Sequence, residues 1–364
     1  MNWSPRPGPE VVEVRVVGEI IRRVRGPLFA LTLVVACPLW IVHASSPVAL
    51  ARQTPGERAD VLVAAIQAAL ERPVTDAGRR VAAAKLAELD RMGSEVLTQK
   101  CAGYNRLVSL NRGSSDPDEK LLRRFLALYD QLPQAQRAPF RFGRYLVYEI
   151  LAADAHRHND ADLETRLLRD AVRIFTADPG DARERQLVQQ LLDRAEMVGR
   201  PAPPLIGGTW LNLAPGTTRM DLGGAVTVIE FTAHWCSPCK DSYPGLLRLH
   251  ERFGPQGLRI VLATRLWGYL GKEKNMSPER ELAAVRRLFI EEDRLPFPIV
   301  IADAQAGAGQ GEAADANAAA YFVQPIPHFV VIDRHGMVRR VDLGWEAGDE
   351  ARLTEIVKRL LAER

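Results

Sequence analysis

An all-α helical domain followed by an α/β C-terminal domain is the architecture encoded in these 364 residues. Three observations carry that reading. Between residues 57 and 199, seven successive stretches place apolar residues at i, i+3, i+4 and i+7. After residue 205, short runs rich in Val, Ile and Leu alternate with amphipathic stretches, the pattern of strands and helices in turn. The proline-rich segment Arg200-Pro201-Ala202-Pro203-Pro204 separates the two patterns and sets the boundaries at 52–200 and 201–364. With 47% hydrophobic and 26% charged residues, the chain is neither disordered nor polytopic, and its length suits two domains with cores of their own. The formal charge is +3, and two of those charges belong to the first 44 residues, where five Arg face three acids. No basic surface of the kind that binds nucleic acid follows.

The N-terminal 51 residues read as an export segment. No charged residue occurs from Gly26 to Ala51, and Arg22, Arg23 and Arg25 precede that run. A positive flank, a short apolar stretch and the small-residue choices Val42-His43-Ala44 or Ala49-Leu50-Ala51 make the pattern of a signal peptide. The run is shorter than the roughly 20 residues that span a bilayer, and Pro38 interrupts it, although a tilted helix would make it a membrane anchor. Both readings place the rest of the chain on the outer face of the cytoplasmic membrane, in a periplasm or its equivalent. Val34-Val35-Ala36-Cys37 is similar to a lipoprotein box, but the apolar run continues past Cys37, which reads most simply as a signal residue.

In the helical region, the stretches 58–72, 77–92, 95–110, 118–132, 140–155, 162–175 and 182–198 are divided by Gly, Pro and Asn breaks, as packed helical hairpins require. His156 and His158 lie at a helix end, where a cation suits the dipole, and no cluster of acids or thiols accompanies them as a metal site needs. Cys101 has no partner cysteine in its own region. It reads as a buried apolar side chain, with a regulatory disulfide as the alternative.

In the α/β region, strands are expected at 226–232, 258–263, 298–302, 329–332 and 338–343, with helices at 278–292, 313–321 and 349–362. The turn Arg334-His335-Gly336 makes the last two strands antiparallel. Trp235-Cys236-Ser237-Pro238-Cys239-Lys240 follows the first confident strand and opens a helix that runs to about residue 253. Zinc would need a second pair of ligands, and the only other cysteine after the export segment is the distant Cys101. Redox chemistry needs these two thiols alone. Free N–H groups at the helix start favour a Cys236 thiolate, and Cys239, one turn on, is placed to attack a mixed disulfide. Cys236 is therefore expected to be the accessible thiol and Cys239 the shielded one.

The sequence here resembles the thioredoxin superfamily, specifically the exported TlpA/ResA-like thiol-disulfide oxidoreductases, over residues 201–364. The resemblance rests on Val228 to Lys240 as strand and active-site turn, on Pro244 five residues after Cys239, on Ile326-Pro327 before a strand, and on Asp333-Arg334-His335-Gly336 as the turn before the last strand. It implies a thioredoxin fold, a cis-Pro327 that holds an incoming peptide, and a redox-active Cys236–Cys239 disulfide with no other cofactor. Glu230 occupies the place of a buried acid that moves a proton on or off Cys239. Trp235, Ile326 and His328 flank the cysteines and the proline and fall at substrate-holding positions.

His234 and His328 depart from the usual residues of the family. Either they stabilise the Cys236 thiolate as imidazolium ions, or they are surface histidines. A loop after the second central strand, Arg265 to Lys272, carries Trp267 and Tyr269. These are recognition residues, or core packing for the insertion. By family analogy the partners are protein thiols and disulfides of the cell envelope, apocytochrome c or copper-site assembly proteins among them, with a membrane protein that imports reductant. The rival readings are a disulfide oxidase or isomerase, and a copper metallochaperone or scaffold protein on the same fold.

Overall fold

Helix starts in the N-terminal half are written in single residues. In this computed structural model, which describes residues 53–302 and 315–363, the side chains of Thr75, Asp118 and Asp160 accept the N–H groups of Gly78, Leu121 and Leu163. These caps open α2 (Asp76–Asp90), α4 (Glu119–Gln131) and α6 (Ala161–Thr176). With α1 (Pro55–Ala69), α3 (Leu97–Val108), α5 (Arg141–Arg157) and α7 (Ala182–Ala195), seven helices lie where the apolar spacing placed them. Their inward stripes bury Phe125, Tyr129 and Phe175 in one core, which Phe140 of the turn before α5 joins. Within it Asp181 meets Arg141 at 3.0 Å and Arg144 at 3.2 Å, and the Arg144 guanidinium lies over the Tyr129 ring at 4.6 Å. Cys101 is fully buried there. Burial pushes its thiol up to about 12, so it stays protonated at neutral pH and is no nucleophile. The export segment, Cys37 included, and residues 303–314 lie outside the described residues. No helix among the described residues is long and apolar enough to cross a membrane.

The C-terminal half is a six-stranded mixed sheet. Its strands are β1 (Thr209–Leu211), β2 (Val226–Phe231), β3 (Leu258–Arg265), β4 (Ile299–Ala302), β5 (His328–Ile332) and β6 (Val338–Leu343), in the order β6-β5-β2-β3-β4-β1. The neighbours β2–β3 and β3–β4 are parallel, whereas β5 lies antiparallel to both β2 and β6. The edge strand β1, which the sequence pattern did not suggest, is three residues long and pairs with β4. All six residues of β2 are buried, and alternation divides them between two cores. Val226 and Val228 pack with α8 (Ser237–Phe253) and α10 (Asp349–Ala362), while Ile229 and Phe231 face a second cluster containing Met197, Trp210 and Tyr321. The helix α9 (Pro278–Arg286) ends in a π-helical turn, Arg287–Glu292.

The proline-rich segment is fastened to the sheet and does not run as a free tether. Gly199 N–H donates to the Val338 carbonyl at 2.8 Å, Val338 N–H to that of Arg200 at 2.9 Å, and Ala202 N–H to that of Gly336 at 2.8 Å. Pro55–Arg364 consequently forms one compact unit. A polar clasp adds to the join. His156 on α5 bonds Asp342 of β6 through Nε2 at 2.8 Å and Glu164 of α6 through Nδ1 at 3.0 Å. Arg340 reaches Asp342 at 2.7 Å and Asn159 at 2.6 Å. His156 thus bridges two carboxylates across two layers and is more than a cation at a helix end.

Burial pulls the His156 imidazole down, but the two carboxylates outweigh it and leave its pKa raised. Because the folded ring titrates above the unfolded value near 6.5, its stabilisation is complete below about pH 6.5 and fades as the pH rises through the folded value. We expect His156→Ala to cost about 2 kcal/mol near pH 6 and distinctly less near pH 9, measured by urea unfolding. A constant gap would show that the folded and unfolded rings titrate alike, and a gap that widens toward pH 9 that the folded ring is neutral.

Candidate redox site

The site begins where β2 ends. Thr232 to Trp235 turn the chain, Cys236 is the N-cap of α8, and Ser237-Pro238 fill the first helical positions, where a missing N–H costs nothing. Cys236 and Cys239 form a disulfide with Cα atoms 5.3 Å apart, and Cys239 N–H points at the Cys236 sulfur at 3.2 Å. The Ile326–Pro327 bond, just before β5, is cis. Ile326 and Trp267 pack against the cluster of Ala233, Cys236 and Cys239. Cys236 is therefore only 2% exposed, and the expectation of an open first cysteine does not hold for the disulfide form. An aromatic cover accounts for this. Trp235, itself 45% exposed, meets Trp267 edge to face with centroids 5.0 Å apart.

Glu230 projects from β2 on the face that packs under α8. It is fully buried, its Oε2 lies 2.9 Å from the Ser242 hydroxyl, and its Oε1 has no hydrogen-bond partner. Burial raises its pKa well above the usual carboxyl range, and the Ser242 contact offsets this only in part. Ser242 Oγ also lies 2.7 Å from the Cys239 carbonyl. One hydroxyl proton cannot serve both acceptors. A protonated Glu230 that donates to Ser242, which donates to Cys239, satisfies the whole chain. Ser242 escaped the sequence reading because a serine in a helix has no signature until a carboxyl is placed across from it.

The histidines fit neither earlier expectation. Both are buried, so they are not surface residues. Burial also lowers both pKa values, that of His328 to about 3, with Arg194 pushing in the same direction and Asp342 against it. Neutral rings supply no imidazolium to the Cys236 thiolate. His328 stacks edge to face on Phe231 at 5.7 Å and has no partner at either ring nitrogen, so its side chain is packing and does not line a substrate surface.

The loop after β3 does come to the site. Arg265 lies over the Trp267 ring at 3.9 Å, and Tyr269 meets the His234 ring at 5.5 Å. Glu281 of α9, a residue that the sequence did not single out, is buried and accepts the N–H groups of Trp267 at 2.6 Å and Gly268 at 2.7 Å. Its Oε1 is 3.7 Å from His234 Nε2. Trp235, Trp267, Phe231, Val323 and Ile326 line a cleft of about 160 Å³ beside the disulfide. Among the described residues there is no group of His, Cys, Asp and Glu that could hold a metal ion.

No family model matches the chain. Over 124 residues it is 28% identical to the thiol-disulfide oxidoreductase ResA of Geobacillus kaustophilus, covering 34% of this chain and 58% of that one. The ResA of Halalkalibacterium halodurans is 25% identical over 124 residues, 34% of this chain and 57% of the other. The C-terminal half is thus similar to TlpA/ResA-like thiol-disulfide oxidoreductases of the thioredoxin superfamily. Solved structures similar to it include a thioredoxin-like superfamily protein (25% identity, TM-score 0.36, covering 45% of this chain and 97% of the other). A thiol-disulfide isomerase from Corynebacterium glutamicum is another (23% identity, TM-score 0.36, covering 45% and 98%). The chain spans less than two thirds of the length of the curated relatives it matches.

In this C-terminal domain, the raised pKa of Glu230 fixes a sign. Between the unfolded carboxyl value, near 4.3, and the higher folded value, the native state holds a proton that the unfolded state has lost, so stability falls as the pH rises. Replacing Glu230 by Gln removes the titration. Glu230→Gln should therefore be more stable than the wild type at pH 7 and should gain less at pH 4, by thermal or urea unfolding at each pH. A variant less stable at pH 7 would mean that the buried carboxylate has a counter-charge.

Proposed function

We propose that this chain is an exported thiol-disulfide oxidoreductase that reduces disulfides of cell-envelope proteins through Cys236 and Cys239. The observation that carries it is a disulfide at the start of α8 with a buried acid, Glu230, on the strand beneath, whose neighbour Ser242 bonds the backbone carbonyl of the second cysteine. In the reduced protein the Cys236 thiolate attacks a partner disulfide, forming a mixed disulfide and releasing one partner thiolate. Glu230, once it has lost its own proton to solvent, is a strong base that takes the proton of Cys239, and the Cys239 thiolate attacks the Cys236 sulfur, which releases the second partner thiolate and closes the internal disulfide. Two electrons pass to the partner, and its two thiolates take up the two protons. A dithiol protein at the membrane then restores the pair. The internal disulfide is the only redox group that this cycle uses.

The reductive direction is supported by the neutral His234 and His328, since an imidazolium beside Cys236 would stabilise the thiolate and make the pair more oxidising. The names of the curated relatives support the class of reaction. Export rests on the apolar run before residue 52. The helical region is read as an all-α layer joined to the redox domain through β6.

Two measurements test the reading. Cys239→Ser should accumulate covalent complexes with envelope proteins that dithiothreitol releases, and the additional change Cys236→Ser should abolish them. The reduction potential should be on the order of −270 mV or lower. A potential above about −180 mV would instead assign the oxidase or isomerase direction.

A further inference from the structure

Glu281 is an expensive way to shape a loop. A carboxylate removed from water must be matched by hydrogen bonds, and this one spends both oxygens on two consecutive backbone N–H groups, those of Trp267 and Gly268. Among the described residues it pairs with His234, which burial keeps neutral. The result is a loop held at several points. Gly268 takes φ +75°, its carbonyl accepts Met276 N–H at 2.9 Å, and Tyr269–Leu270 pairs with Glu273–Lys274 in a short hairpin. Trp267 packs on the disulfide cluster and against Trp235, and Tyr269 packs against His234.

We propose that Glu281 is a positioning residue that fixes the Trp267–Tyr269 loop, so that Trp235, Trp267 and Ile326 seat an aromatic or branched apolar side chain beside the cysteine of a disulfide-bonded polypeptide. The assignment rests on the oxidoreductase reading above. The size of the cleft supports it, since about 160 Å³ is on the scale of an apolar cavity that accepts benzene. So does its charge, because the cleft carries both Arg265 and Asp315, which offset one another and leave apolar contact to select the ligand.

Glu281→Gln separates this role from a general effect on the fold. An amide offers one acceptor where the carboxylate offers two, so one of the two loop N–H groups loses its partner while side-chain volume is unchanged. The probes are two peptides, each with one cysteine held as a mixed disulfide with glutathione, carrying Phe or Ser beside that cysteine. Single-turnover oxidation of the reduced protein gives a half-saturating concentration and a limiting rate. With the Phe peptide, Glu281→Gln should raise the former about tenfold and hold the latter within about twofold, while the Ser peptide shifts less than about threefold. Trp267→Ala should reproduce this, and the double variant should be no worse than either single change. Trp267→Ala decides alone if Glu281→Gln does not fold.

Equal shifts with both peptides, additive losses in the double variant, or unchanged constants overturn the assignment. So does a parallel fall in the rate at which dithiothreitol reduces the oxidised protein, which would mean that Glu281 acts on the sulfur atoms through His234. A wild-type protein inert toward both peptides and toward dithiothreitol overturns the oxidoreductase reading and this assignment with it. An active wild type with unchanged variants overturns the assignment alone.

Discussion

Burying every residue of β2, between helices on one face and an apolar cluster on the other, is the constraint from which the site follows. A strand covered on both sides leaves no water for a polar side chain, and Glu230 is the carboxyl that this strand carries inside. Alternation along the strand sends Glu230 to the same face as Val226 and Val228, under α8. The same strand delivers Cys236 to the start of that helix a few residues later. Acid, hydroxyl and second cysteine are thus assembled by one strand, one turn and the first turns of one helix.

Burial then decides what each titratable group can be. It raises Glu230, lowers His234 and His328, and keeps the Cys101 thiol protonated. The four shifts point toward the neutral form, because none of these groups has an ion partner that outweighs its lost hydration. Glu281 is satisfied differently, by two backbone N–H groups that fix an aromatic loop over the disulfide. At the join with the helical region, His156 takes the opposite course, since two carboxylates there exceed the cost of desolvation. Near the sulfur atoms Glu230 and the two histidines are therefore neutral and Glu281 is matched by backbone N–H groups, whereas His156 is charged where the helices meet β6.

That join makes the helical region part of the surroundings of the redox domain. Residues 199–202 hydrogen-bond along the start of β6, and His156 and Asn159 bond to Asp342 and Arg340 of the same strand. Strand β6 pairs in turn with β5, which starts immediately after Pro327, and Asp342 stands opposite Phe329 in that ladder. Hydrogen bonds to β6 and its pairing with β5, which shifts register between Val338 and Arg340, thus link the helical layer to the segment that carries the cis peptide bond.

Local rules were enough for a good deal of this. Apolar spacing gave the seven helices, and Cys236-Ser237-Pro238-Cys239, Ile326-Pro327 and the turn at Asp333 marked the redox domain, because each is written in contiguous residues with a fixed backbone requirement. Glu230 could be singled out because a charged residue within an apolar strand is conspicuous in any sequence. The protonation of the histidines, the cover over Cys236, and the parts played by Ser242 and Glu281 were decided by tertiary structure alone. Each depends on what stands across from a side chain in space. Glu281 is 14 residues from the N–H group it binds at Trp267, and His156 is 186 residues from Asp342. Periodicity and motif report the conformation of neighbouring residues, whereas desolvation and hydrogen bonding depend on neighbours that only the folded chain brings together.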